Sequence, residues 1–379
     1  MANLRLAASL ADVGHTVDVI TYPFGSNPNH PGVNVHRCRN APFVRSVGIG
    51  FSAAKVLLDV NLFFYAFRLI RENNFDCIHG VEEGASIGAV IGHFFGIPVI
   101  YDMDSVMSYE VANSKFGKLP LLVWLMRAVE RWTIRNSALV MTICEAMAKE
   151  VYRIAPSKRV VIIPDVPIPS PPGGVNPDRA RSNIPPRFVD GRKIIMYTGS
   201  LAGYQGMELL ISAMKQVAAI MPEVALIVLG GDEKNIERLK RFGKTVGVMD
   251  NLLFMGKRSP EEIPDFLGAA DVLASPRRGG INPPAKIYTY MQAGKPIVAT
   301  NAPAHTAVLS SDAAFLVDPE PGAIATGILD AFSNPEEAKR KALQAQKMVR
   351  ESTPEKQARM ILEAYELLYA QVHHPATSE

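Results

Sequence analysis

The stretch KIIMYTGSLAGYQGMELLISAM, residues 193–214, decides the fold. Ile194 to Thr198 form a short continuous run of mostly apolar side chains, the pattern of a strand buried on both faces. Met207, Leu210, Ile211 and Met214 recur at helical spacing. Between the two stand Gly199, Gly203 and Gly206, so the segment reads as strand, glycine turn and helix, the repeating unit of a parallel sheet. Bare backbone amides and a helix N-terminus at such a turn can face an anion, and a diphosphate fits there. A tight turn that needs glycine only for sterics explains the same residues equally well.

Working outward, VALIVLGG, LLFMG, DVLASP, PIVAT and AAFLVD continue the alternation, and TVDVITY, FDCIHG, IPVIYD, SALVMTI and RVVIIP precede it. The expected fold class is α/β, with two doubly wound Rossmann-like domains at residues 1–163 and 191–352 and a cleft between them. Eight of the 28 prolines fall within residues 164–186, so 164–190 reads as an interdomain linker. Residues 353–379 read as a terminal helix and tail, with EKQARMILEAYELLY able to pack back across the cleft. The first domain opens on a helix, Leu4, Leu6, Leu10 and Val13 ending at Gly14, where doubly wound sheets open on a central strand. We therefore expect a first domain lacking its first strand, through a truncated or mis-assigned start.

A chain of 379 residues, 48% hydrophobic, has apolar material for two globular domains and is not disordered. The net charge of +3 without a long basic run argues against a nucleic-acid partner. Cys38, Cys77 and Cys144 stand far apart, without C-x-x-C, which excludes a disulfide framework or zinc site and suits a cytoplasmic location. Arg5 and Asp12 break the N-terminal apolar stretch, which argues against a signal peptide, and Gly96 and Pro98 interrupt residues 84–101 before they reach membrane-spanning length. Residues 56–70 (VLLDVNLFFYAFRLI) and 119–132 (LPLLVWLMRAVERW) mix apolar and basic side chains as interfacial helices do, which suggests a peripheral contact at the inner face of the membrane. Burial in a core is the favoured reading of both.

Chemistry gathers at strand ends, which lie on one rim of a doubly wound sheet. Gly231 and Asp232 follow VALIVLGG, Lys257 and Arg258 follow LLFMG, and Arg277 and Arg278 follow DVLASP. Together they make an electropositive rim suited to a leaving phosphate, although a single arginine is commonly a solvated surface residue. In the first domain, IPVIYDMD ends in Asp102 and Asp104, and His79, Glu82 and Glu83 end the preceding strand. His79 equally reads as a satisfied half-buried histidine, and one aspartate as the cap of the following helix. Gly84, Gly88, Gly92 and Gly96 read as one helix face packed on the sheet.

Residues 275–309, SPRRGGINPPAKIYTYMQAGKPIVATNAPAHTAVL, together with GHTVDVIT, ALVMTICEAMAKEV, YTGSLAGYQGMELL and GAADVLASP, resemble the retaining glycosyltransferases of the GT-B fold, family 4. The resemblance covers the whole chain. It implies that the second domain holds most of a nucleotide-sugar and the first most of an acceptor. Gly199, Ser200, Gly203, Gln205, Gly206, Gly231, Asp232, Lys257, Arg258, Arg278, Asn282 and Thr289 would then bind donor. Arg277, Lys286, Asp102 and Asp104 would be catalytic, and His79, Glu82 and Glu83 would line the acceptor side. The chain departs from the family where two glutamates commonly stand eight residues apart, near Ile281 and at Thr289. It departs again where the glycine turn commonly carries Arg and Lys, here Ser200 or Leu201, and Gln205. Arg277, Arg278 and Lys286 can restore that charge from the next loop.

Two other motif readings carry less. Asp102-Met103-Asp104 also matches the Asp-x-Asp of metal-dependent GT-A glycosyltransferases, but those are not expected to repeat a complete parallel domain. The glycine spacing resembles the T-G-x-x-x-G-x-G turn of short-chain dehydrogenases, yet none of the eleven tyrosines has lysine four residues later. The resemblance thus implies sugar transfer from a nucleotide donor to a glycan or lipid-linked hydroxyl, with retention, without a covalent nucleophile, a cofactor or a metal. A nucleotide-sugar 2-epimerase and a non-catalytic glycosyltransferase-like partner are the alternatives.

Overall fold

The opening helix α1 (Ala2–Asp12) closes as the sequence predicts: Gly14 adopts φ +95°, and the N–H groups of Gly14 and His15 return to the Ala11 and Leu10 carbonyls. The computed structural model describes residues 2–373 except 26, 28–29, 43, 45–46, 48–51 and 113–114. Residues 1–164 with 354–379 form unit 1, and residues 165–353 form unit 2.

Unit 1 continues with β1 (Val17–Thr21), β2 (Val33–Arg37), α2 (Ala53–Glu72), β3 (Ile78–Val81), α3 (Glu83–Phe95), β4 (Val99–Met103), α4 (Met107–Ala112), α5 (Pro120–Asn136), β5 (Leu139–Thr142), α6 (Glu145–Ile154) and β6 (Val160–Ile162). Its parallel strands fall into two sheets, β1-β2 and β3-β4-β5-β6. Strands β1 and β3 are not paired with each other, and both line a cavity of about 1900 Å³ together with Leu10, Ile91 and Tyr365. Parallel neighbours in chain order need crossovers of one hand, so α3, α5 and α6 share one face of the larger sheet. On the other face Ile100, Leu139 and Met141 pack against Ile361, Ala364 and Leu368 from the end of the chain.

Unit 2 comprises α7 (Pro177–Arg181), β7 (Lys193–Thr198), α8 (Met207–Ile220), β8 (Val224–Leu229), α9 (Glu233–Val246), β9 (Leu252–Gly256), α10 (Ile263–Ala269), β10 (Val272–Ser275), α11 (Lys286–Ala293), β11 (Ile297–Thr300), α12 (Pro303–Thr306), β12 (Phe315–Val317), α13 (Pro321–Ser333) and α14 (Pro335–Val349). The parallel order is β12-β11-β10-β7-β8-β9. The chain runs outward from β7 in one direction and from β10 in the other, so the topological switch point lies between these two strands. Apart from Lys193, the residues of β7, β8 and β10 are buried on both faces, as their apolar runs require.

Four expectations are corrected. The proline-rich stretch read as a linker is folded into unit 2: Pro177 opens α7, and Ala180, Ile184 and Phe188 are core residues. Asp265 of α10 ties it down, accepting from the Asn176 N–H at 2.7 Å and pairing with Arg179. The terminal helix α15 (Pro354–His373), read as a segment of its own at residues 353–379, is part of unit 1. Of the glycine series, Gly88 and Gly92 do meet Ile78 and Val99, but Gly84 faces open space and Gly96 is the left-handed C-cap of α3. The favoured burial of residues 56–70 and 119–132 also fails in part. One face of each helix packs inward, while Val56, Leu57, Val60 and Phe64 of α2 and Leu121, Trp124, Leu125 and Trp132 of α5 are exposed. Among the described residues no helix is long and apolar enough to cross a membrane.

Candidate functional site

At the switch point of unit 2 the loops after β7 and β10 interlock. Gly206 sits at φ +73°, and a Cβ there would collide with the Pro276 carbonyl oxygen, so close approach of the second loop demands glycine. The Arg278 N–H donates to the Tyr204 carbonyl at 3.0 Å, and the Arg277 guanidinium lies 5.2 Å from the Tyr204 ring centre. Lys286, first residue of α11, reaches back to the turn: its Nζ donates to Gln205 Oε1 at 3.3 Å and stands 3.8 Å from the Tyr197 ring centre. The Tyr197 hydroxyl in turn donates to the Ser200 carbonyl at 2.6 Å.

The electrostatics of this pocket are one-sided. Among the described residues Lys286 has no carboxylate partner, and burial followed by the nearby Arg277 charge holds its ammonium well below the ordinary lysine value. Arg277 is 7% exposed, and its guanidinium donates to the Gly279 and Asn282 carbonyls and to Asn282 Oδ1. No side chain caps the N-terminus of α8, which Gly206 opens, so its partial positive charge is left to the pocket. Two cations and a helix N-terminus around a glycine turn form a site for an anion.

Support comes from residues that sequence reasoning missed. His305 is fully buried beneath the loop; its Nε2 accepts from Ser275 Oγ at 2.9 Å and its Nδ1 donates to the Thr300 carbonyl at 2.8 Å. Burial pushes its pKa down to about 4, so it serves as a neutral imidazole. Thr300 Oγ1 donates to the Arg277 carbonyl, and the Tyr290 hydroxyl accepts from the Thr198 N–H at 2.7 Å. The only local signal was a histidine shortly after a strand.

Other predicted residues have different surroundings. Asp232 caps α9 by accepting from the Asn235 N–H at 2.9 Å, with Lys257 close enough to lower its pKa further. Gly231 packs on Leu201, and the Arg258 guanidinium lies over Phe266 of α10. Thr289 is buried, its Oγ1 accepting from the Ile168 N–H at 3.1 Å. The side chain of Arg278 is exposed, and Gly203 has open space where a Cβ would stand.

In unit 1 the ends of β3 and β4 bring acids together. His79 Nε2 lies 3.2 Å from Asp102 Oδ2, and its Nδ1 lies 2.8 Å from the Tyr365 hydroxyl of α15, a partner the sequence did not disclose. Glu82 is the one non-glycine residue with positive φ, +50°, among the described residues, a strained position at the strand-to-helix turn. Burial, then the Asp104 charge, push its carboxyl up to about 9, so it is protonated at neutral pH; Ser105 Oγ lies 3.0 Å from its Oε2. Glu83 is paired with Lys55 at 3.0 Å. Among the described residues no three His, Cys, Asp or Glu side chains are grouped to hold a metal ion.

Comparison with known proteins follows the division into units. Residues 2–165 match the "Glycosyl transferase 4-like domain" and residues 192–334 match "Glycosyl transferases group 1". The chain is 28% identical over 233 residues to a GDP-mannose-dependent alpha-(1-6)-phosphatidylinositol monomannoside mannosyltransferase of Mycolicibacterium smegmatis, covering 57% of this chain and 59% of that enzyme. It is 26% identical to a 2-deoxystreptamine N-acetyl-D-glucosaminyltransferase of Streptomyces fradiae, over 72% of this chain and 67% of the relative. Sucrose-phosphate synthase from Thermosynechococcus elongatus shares the fold, with a TM-score of 0.79 at 20% identity over 97% of this chain and 93% of that one. With both units matched, the chain belongs to the group 1 glycosyltransferases, whose GT-B fold it has.

Proposed function

We propose that this chain transfers a sugar from a nucleotide-sugar donor to a hydroxyl of a glycan or lipid-linked acceptor, with retention of anomeric configuration. The observation that carries the reading is Lys286, a half-buried ammonium with no carboxylate partner among the described residues, held against the glycine turn beside Arg277. A diphosphate supplies the missing counter-charge. As the sugar–phosphate bond breaks, negative charge grows on the leaving diphosphate, and Lys286, Arg277 and the α8 N-terminus are preorganised to meet it. These groups provide the positive potential a divalent ion would otherwise bring, so the reading is metal-independent. The leaving phosphate takes the acceptor proton, and no covalent intermediate is required.

Unit 1 is assigned the acceptor, with Asp102 oriented by His79 and the protonated Glu82 as a hydrogen-bond donor to a hydroxyl. Retention rests on the family resemblance and on the alpha linkage named for the mannosyltransferase relative. The named relatives act on a phosphatidylinositol glycoside and on 2-deoxystreptamine, which supports a hydroxyl-rich acceptor. Three free cysteines suit a cytoplasmic location.

The test incubates the full chain with a panel of UDP-, GDP- and ADP-sugars, with and without native lipid extract, and follows products by mass spectrometry. Release of nucleoside diphosphate with a glycosylated product supports transfer. Sugar isomerisation without acceptor supports the epimerase instead, and no binding of any donor supports a non-catalytic partner.

A further inference from the structure

In unit 1 α3 packs against both α2 and α5, and the three helices turn an unusual face outward. On α5, Leu121, Trp124, Leu125 and Trp132 are 76%, 64%, 49% and 39% exposed. Their spacing of three, four and eleven residues from Leu121 places them on one stripe. Val123, Glu130, Thr133 and Ile134 of the same helix are buried. Neighbouring α2 and α3 add Phe64 and Phe94, 65% and 71% exposed. Both tryptophans of the chain therefore stand on one solvent-facing stripe.

Charge is distributed just as unevenly. Arg127, Arg131 and Arg135 run along the flank of the stripe, exposed and, among the described residues, without ion-pair partners. The one acid of α5, Glu130, is 3% exposed and turned inward onto Ser108, 2.5 Å from its Oγ. Along α5 itself the stripe is thus apolar at its centre and cationic on its flank, while Glu110 of the packed α4 is exposed.

We infer that unit 1 docks on the surface of an anionic lipid bilayer through the outward stripe of α5, with Phe64 and Phe94 extending the contact. Tryptophan and leucine enter the headgroup boundary while the arginines meet lipid phosphates, the arrangement of a helix lying in the interface plane. A second copy of this chain is a poorer occupant, because a two-fold contact would set three unpaired arginines against three. The inference stands apart from the sugar-transfer reading, since it uses none of the donor-binding residues. If both hold, a lipid-linked acceptor is delivered to an enzyme already resident on its membrane.

The test uses the full chain with phosphatidylcholine vesicles, with and without phosphatidylglycerol, reading co-sedimentation and tryptophan emission. The expected result is binding to the anionic vesicles with a blue shift from Trp124 and Trp132, weakened by salt. Each of Arg127→Glu, Arg131→Glu and Arg135→Glu lowers partition about five-fold or more, because each basic residue near an anionic surface adds attraction. Leu121→Ser with Trp124→Ser lowers it further while nucleoside diphosphate binding, measured in the same preparations, is unchanged. Equal binding to neutral and anionic vesicles, no blue shift, or a self-associated dimer that Leu121→Ser dissolves would each overturn the inference.

Discussion

In unit 1 the carboxyls of Asp59, Glu82 and Glu130 are pushed above their ordinary range, whereas in unit 2 the bases Lys286, Lys295 and His305 are pushed below theirs, desolvation being the first cause in all six; Lys158 is a unit 1 base pushed down in the same way. The sheets differ too: unit 2 has six strands in unbroken order, while unit 1 is divided in two around a large cavity. A base held in low dielectric without a counter-charge gains most when an anion arrives, and a carboxyl kept protonated can donate to a hydroxyl. In the proposed reaction the two units would serve opposite halves of the group transfer. This difference is what the following expectations break or sharpen.

The largest effect falls on unit 2. Lys286→Ala should lower kcat by about 10²- to 10³-fold, roughly 3–4 kcal/mol, because it removes a preorganised charge that acts on the departing diphosphate. Single-turnover kinetics at saturating donor measure this, and an unchanged rate removes the reason for distinguishing the units.

Stability against pH comes next. Glu82 binds its proton more tightly folded than unfolded, so its contribution is present below the ordinary glutamate value of 4.5 and is lost as pH rises toward about 9. His305 has the opposite sign: its contribution is present above 6.5 and is lost as pH falls toward about 4. Unit 1 should weaken and unit 2 strengthen as pH rises through the interval where both titrate, each by at most about 1.4 kcal/mol per pH unit. Hydrogen exchange resolved by unit checks it, and Glu82→Gln should flatten only the unit 1 trend. Parallel trends in both units contradict the comparison.

Two smaller effects sharpen it. Tyr365→Phe removes the hydrogen bond to His79 Nδ1 and should cost about 1 kcal/mol in unit 1 stability, read by denaturant titration, while leaving donor affinity unchanged. Amides of β1 and β2, half-buried beside the cavity, should exchange before those of β7 and β8.

Much of this was legible in the sequence where the cause is local. Continuous apolar runs marked β7, β8 and β10, Gly14 marked the end of α1, and the glycines after Thr198 marked the turn. What stayed hidden depends on contacts distant along the chain. His305 meets Ser275, Tyr290 meets Thr198 and Tyr365 meets His79, and no spacing rule predicts them. Asp232 looked like a ligand because it ends a strand, but that same position is the start of α9, where a carboxylate satisfies backbone N–H groups. Prolines suggested a flexible linker, although Pro177 is well placed at the first turn of a helix. Residues 119–132 read either as an interfacial helix or as core, and periodicity alone does not say which of their apolar side chains the protein covers.

The central claim is that the glycine turn and the Ser275–Lys286 loop form a pocket for a diphosphate that Lys286 completes. Calorimetric titration of the full chain with UDP, GDP and ADP tests it most directly. The account predicts binding of at least one nucleotide, weakened about ten-fold or more in Lys286→Met, because the ammonium beside the glycine turn meets the diphosphate. No binding, or binding whose affinity is indifferent to Lys286→Met, would contradict it.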